Sequence, residues 1–218
     1  MEAPDFSPGR MSRLNFDPND EDFKKFVQYS QDTQNGVTKQ RIEKLQDYGV
    51  PITLEKVRKF FSNSTLGKLA IAQTILFDKT CREYVEKDHE ELSIRKVLEL
   101  YLIKEGIATH VPKLGGIHWQ EAIEAVHKAN GLAIFAHPTT NFKDPLEVLE
   151  MFEGIDGVEI QPAYYENGYA IFEEYAKQNG LFLTYGSDYH GPFLKGEILE
   201  RKENIINENI FGKIKTIE

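Results

Sequence analysis

Leu181-Phe182-Leu183-Thr184-Tyr185-Gly186-Ser187-Asp188-Tyr189-His190-Gly191 is the stretch on which the reading of this chain turns. An apolar run leads directly into an Asp and a His two positions apart. Residues i and i+2 of an extended strand share a face. A strand prolonged to this point would therefore present one carboxylate and one imidazole together at its C-terminal end. Both groups are common ligands of divalent metals. The flanking glycines allow close backbone approach. A second run, Leu132-Ala133-Ile134-Phe135-Ala136, ends in His137-Pro138. Strands that deliver ligands from their C-terminal ends are how α/β sheets build sites.

Working outward, the second half of the chain alternates in type. A helix is expected over 118–129, with Trp119, Ala122, Ile123 and Val126 on one face and Asn130-Gly131 as its stop. A strand over 132–136 follows. Asp144-Pro145 then opens a short helix to Phe152, because proline is preset for a first helical turn. Gly157-Val158-Glu159-Ile160 reads as the next strand. A helix over about 165–178 ends at Asn179-Gly180, and the strand over 181–186 closes the series. Alternation of this kind calls for parallel strands with right-handed crossovers.

The first half is helical in pattern. Residues 1–19 are rich in Pro, Asp, Ser and Asn and read as irregular. Asp20 is placed to cap a helix carrying Phe23, Phe26 and Val27, with a break or bend at Gln34-Asn35-Gly36 and a stop at Gly49. Thr53, Thr65 and Ser93 are expected to cap helices over 54–61, from 66 onward, and over 94–104. The division expected is an irregular segment 1–19, a helical insert 20–115, and an α/β portion 116–218.

Bulk composition excludes several classes. With 26 Lys and Arg against 35 Asp and Glu the net charge is -9, which opposes binding of long duplex nucleic acid. A small phosphorylated substrate in a local basic pocket remains compatible with it. The single cysteine, Cys81, rules out an internal disulfide and a Cys-based zinc site, and a reduced, cytoplasmic setting is the simplest expectation. The first thirty residues contain no apolar signal core, and no apolar run approaches the length of a membrane span.

The chain resembles the polymerase-and-histidinol-phosphatase (PHP) superfamily of metal-dependent phosphoesterases. Within it, the likeness is to the nucleoside 3',5'-bisphosphate phosphatase and 5'-3' exoribonuclease branch. The stretches that carry it are Ala136-His137-Pro138, Asp156-Gly157-Val158-Glu159-Ile160 and Gly186-Ser187-Asp188-Tyr189-His190-Gly191, with a weaker likeness in Leu14-Asn15-Phe16-Asp17-Pro18. The resemblance implies the last, parallel strands of a distorted β/α barrel with an inserted helical subdomain. It implies a divalent metal (manganese, magnesium or zinc) held by His137, Asp188 and His190. It also implies hydrolysis of small phosphorylated nucleotides or short oligonucleotides by metal-activated water.

Lys68 and Lys195 are candidates for substrate phosphate, as point charges. Glu159 either supports the site from behind or points at solvent. The family's N-terminal His-x-His motif, Asp-His-Asp-like segment and metal-binding Glu strand are absent from this sequence. The chain is therefore expected to behave as the C-terminal two-thirds of such a protein, as a truncated gene, a misplaced start or a deliberate fragment. Weak metal binding and low or no activity are expected. Open sheet edges predict a homo-oligomer or a complementing N-terminal fragment. The alternative is a non-catalytic remnant that serves as a binding or interaction module.

Overall fold

A computed structural model describes residues 11–14, 16–112, 117–136, 138, 145–160 and 170–186. The chain divides into two compact units, one of residues 1–26 with 117–218 and one of residues 27–116.

Among the described residues, unit one is built on a four-stranded sheet whose strands lie side by side in chain order. The strands are β1 (Met11–Leu14), β2 (Leu132–Phe135), β3 (Gly157–Ile160) and β4 (Phe182–Tyr185). The three later strands run parallel, in register Ile134↔Gly157↔Phe182 and Phe135↔Val158↔Leu183. The first strand corrects the reading of residues 1–19 as irregular. Met11–Leu14 pairs antiparallel with β2, from Met11↔Phe135 to Leu14↔Leu132, so the sheet is mixed. A four-residue strand among prolines and polar residues has little periodicity of its own; the pairing partner supplies its hydrogen bonds.

Helices α6 (Trp119–Lys128), α7 (Pro145–Glu150) and α8 (Ala170–Gln178) connect these strands. They lie against one face of the sheet. Phe152, just past α7, sets its ring 4.8 Å from Phe135 and 5.2 Å from Trp119 of α6. Tyr185 of β4 donates its hydroxyl to Glu173 of α8 at 2.6 Å. Side chains alternate along a strand, so Ile134, Gly157, Glu159, Phe182 and Thr184 belong to the opposite face. That face is tightly packed at its centre. A Cβ on Gly157 would sit 2.7 Å from Ile134 Cδ1 and 2.7 Å from the Phe182 carbonyl oxygen, so only glycine fits between them. The helix stops at Asn130 (φ +57°) and Gly180 (φ +66°) are left-handed, as their Asn-Gly sequences lead one to expect.

The N-terminal ends of the parallel strands are tied by Asp156. Its N–H donates to the Ala133 carbonyl at 2.8 Å, and its carbonyl accepts from Phe182 N–H at 2.8 Å. Its carboxylate accepts the Ala133 N–H at 2.7 Å and lies 2.7 Å from His127 Nε2 of α6. One side chain thus completes the β2–β3 ladder where β3 has no further backbone to offer.

Unit two is helical. It holds the greater part of α1 (Glu21–Asp47), then α2 (Leu54–Phe60), α3 (Lys68–Phe77), α4 (Lys79–Glu86) and α5 (Ile94–Tyr101). Asp20, Thr53 and Ser93 cap as expected, accepting from the N–H of Phe23, Lys56 and Lys96.

Three local expectations are corrected. α1 runs unbroken through Gln34-Asn35-Gly36. Asn35 accepts the Leu66 N–H at 2.9 Å and Thr38 donates to the Leu66 carbonyl at 2.8 Å. Two such bonds, at about 1 kcal/mol each, outweigh the roughly 0.5–1 kcal/mol that a helical glycine costs. Thr65 is not a cap: α3 begins at Lys68 behind Gly67. α5 ends at Tyr101 rather than near 104, where Lys104 takes φ +54°.

Helix α4 has a cap that the sequence reading passed over. Asp78 accepts the Cys81 N–H at 3.1 Å. It also pairs with Lys56 at 2.9 Å, and Lys56 donates to the Pro51 carbonyl at 2.7 Å and contacts the Thr80 hydroxyl. Burial alone would raise the Asp78 carboxyl. Hydrogen bonds from Thr80, Lys56 and Cys81 overcome it and hold the group well below the usual carboxylate range. Cys81 is fully buried beside this pair; burial, with Asp78 adding to it, pushes the thiol up to about 12.

Candidate functional site

Parallel strands share one C-terminal edge. In unit one that edge is formed by the residues that follow Phe135, Ile160 and Tyr185. β2 and β4 flank β3, so groups at their ends stand about two strand spacings apart, roughly 9–10 Å. A small molecule spans such a gap, and a single ion is reached only by side chains that extend into it from both strands. Gly186 N–H donates to the Ile160 carbonyl at 2.9 Å, which carries the β3–β4 pairing to the very end of the strands.

The polar groups described at this edge lie on the face away from the helices. Glu159 and Thr184 are directly opposite each other in the β3–β4 register. Glu159 is half-buried. A Cβ on Gly186 would lie 2.8 Å from Glu159 Oε1 and 2.9 Å from its carboxyl carbon, so the carboxylate rests against the backbone leaving β4. The Thr184 hydroxyl is buried and has no hydrogen-bond partner among the described residues. A buried hydroxyl in that condition costs about 1–3 kcal/mol.

His137, Asp188 and His190, expected as metal ligands, lie outside the described residues, as does Lys195. The described neighbours that precede them in the chain are Ala136, which is buried at the end of β2, and Gly186. Among the described residues no three His, Cys, Asp or Glu side chains converge to hold a metal ion. Glu159 alone is one carboxylate and does not make a metal site.

Lys68 is the first residue of α3 in unit two. Burial, with the Arg41 charge adding to it, pushes its amine below the usual lysine range. A cation held in that way gains from an anionic partner.

Sequence reasoning marked Gly186 as a glycine that allows close backbone approach and passed over Thr184. A signal for Thr184 was present: it is the polar member of an otherwise apolar strand, opposite the one acidic residue of the neighbouring strand. The His127 bond to Asp156 is structural, at the strand ends remote from this edge. A shallow depression lined by Gln120, Ile123, Glu124, His127, Lys128 and Glu153 lies along α6 and near that same end.

No protein-family model matches the sequence, and no curated protein matches it. Solved structures do share the fold. A protein from Bifidobacterium adolescentis, described as a metal-dependent phosphoesterase, superposes with a TM-score of 0.72 at 21% identity, over 94% of this chain and 69% of its own. An amidohydrolase from Chromobacterium violaceum, with bound sulfate and no metal, superposes with a TM-score of 0.65 at 18% identity, over 85% of this chain and 63% of its own. At these identities the likeness is one of fold. This chain spans about two thirds of the length of each.

Proposed function

We propose that this chain is a metal-dependent phosphoesterase of the PHP type, acting on small nucleotides such as nucleoside 3',5'-bisphosphates or on short oligonucleotides. The observation that carries the reading is the shared fold, which covers 94% of the chain in the phosphoesterase comparison. The half-buried carboxylate of Glu159 at the C-terminal strand edge supports it. So does the sulfate in the second neighbour, a tetrahedral anion like a phosphate group.

In this reading His137, Asp188 and His190 hold a divalent metal, manganese, magnesium or zinc. The described residues do not complete that set. Such an ion, when bound, supplies Lewis acidity and acidifies water. The chain's own contributions are two. Lys68 and Lys195 offer cationic partners for phosphate oxygens. Glu159 keeps the Gly186 end of β4 in place from the neighbouring strand.

The test is metal retention after dialysis against manganese, followed by phosphate release from a nucleoside 3',5'-bisphosphate. Asp188→Asn and His190→Ala are the controls. Retention and release that both fall in the variants support the proposal. Release equal in wild type and variants, or no retained metal in any form, refutes it.

A further inference from the structure

We infer that Glu159 and Thr184 form a binding pair for one neutral O–H group on the sheet face away from the helices. The group is a water molecule or a substrate hydroxyl that takes its place. The proposal takes the C-terminal strand edge as the working face, and so rests on the reading above.

The Thr184 hydroxyl is buried and has no partner among the described residues, although a hydroxyl carries one donor and two acceptor positions. Buried polar groups in folded proteins are satisfied, by protein or by ordered water. Glu159 stands opposite on the adjacent strand, in register and on the same face. Neighbouring strands are about 4.8 Å apart, a spacing that one intervening oxygen bridges. A carboxylate offers several acceptor positions, so it can accept this bond beside the contacts it already makes.

The chemistry selects the ligand. An ionised carboxylate accepts hydrogen bonds and donates none, and it repels phosphate oxygens. The occupant must therefore bring a hydrogen to Glu159 and an oxygen to the Thr184 hydroxyl. Water and an alcohol both do so; a phosphoryl oxygen does not. Within a phosphoesterase, the pair thus belongs to the alcohol or water side of the ester rather than to the phosphate.

The experiment uses the full chain, freed of metal with a chelator. Unfolding in urea is followed by the fluorescence of Trp119, which lies in unit one. Thr184→Val keeps the side-chain volume and removes the hydroxyl. With an O–H group held, Thr184→Val lowers the urea midpoint, and lowers it less when Glu159→Met is already present. With the hydroxyl merely orphaned, Thr184→Val raises the midpoint whatever stands at 159, and the inference fails.

A crystal structure of the unliganded wild type gives an independent readout. An ordered oxygen within about 2.7–3.2 Å of Thr184 Oγ1 supports the pair, and a dry site overturns it. Adenosine 5'-monophosphate and its 2'-deoxy form then distinguish the two sources. Preference for the ribose form by roughly two- to tenfold, lost in Thr184→Val, identifies a substrate hydroxyl. Equal binding of the two forms, with the ordered oxygen retained, identifies water. Phosphate release is measured separately. Its absence beside an intact Thr184–Glu159 coupling refutes the enzyme reading alone; its presence beside a dry site refutes the pair alone.

Discussion

Replacing Asp156 by alanine should destabilise unit one by an amount the geometry allows to be worked out. The carboxylate does two jobs. It accepts the N–H of Ala133, a residue that is fully buried, and it pairs with His127, whose side chain is 41% exposed. Without the carboxylate the Ala133 N–H has no acceptor, because β3 begins only at Gly157; such a loss costs about 1–3 kcal/mol. The His127 pair adds about 0.2–1 kcal/mol, as a partly exposed ion pair does. Asp156→Ala should therefore cost roughly 1–4 kcal/mol. Asp156→Asn keeps an oxygen for the Ala133 N–H and loses only the charge, so it should cost no more than about 1 kcal/mol. The assay is urea unfolding read at Trp119, the one tryptophan, which packs against Phe152 in the same unit. The midpoint shift multiplied by the m-value gives the free energy. Equal losses in the two variants, or an alanine variant as stable as wild type, would refute the ladder-completing role of the carboxylate.

Other outcomes follow from the same structure. The Cys81 thiol is raised to about 12, so the neutral form is favoured in the folded state. The associated stability is fully present below the unfolded value of about 8.5 and is lost as pH rises toward the folded value, by up to about 1.4 kcal/mol per pH unit. Urea midpoints taken from pH 7 upward should fall more steeply in wild type than in Cys81→Ala; parallel profiles would contradict this. Gly157→Ala should cost about 1–3 kcal/mol through overpacking, because the Phe182 carbonyl at 2.7 Å is backbone and cannot rotate away. Thermal unfolding checks it, and an unchanged midpoint would show that the strands separate easily. Lys56→Met removes the cation from Asp78 and the donor from the Pro51 carbonyl, both partly sheltered. A loss of about 1–3 kcal/mol is expected in helical signal against urea, and less for Lys56→Arg.

The elements of this chain were legible where local chemistry and periodicity agree. Asp20, Thr53 and Ser93 cap helices because their side chains reach N–H groups three residues on. Asn130-Gly131 and Asn179-Gly180 stop helices because both positions admit left-handed backbone. The Gly157–Ile160 strand was visible as a short apolar run. Where a distant residue intervened, local reading failed. Asn35 and Gly36 look like a helix break, but the Leu66 backbone holds Asn35 and Thr38 in helical phase. Met11–Leu14 has no strand signature and becomes one by pairing with β2.

The candidate site divides in the same way. Glu159 stood out in sequence as a carboxylate inside an apolar strand, and His137, Asp188 and His190 stood out as strand-end ligands by resemblance. Thr184 did not, because its importance lies in what is opposite it.

By itself, then, the sequence determined the type and order of most elements, since caps, stops and alternation act over a few residues. It also determined which residues stand at the ends of the parallel strands. Only the tertiary structure decided that Glu159 and Thr184 stand opposite each other across β3 and β4, that the Glu159 carboxylate rests against Gly186, and that Asp156 finishes a ladder begun by β2. Register is the physical reason. A strand shows which residues share a face, but its neighbour decides what they face, and a shift of one position would turn every one of them to the other side.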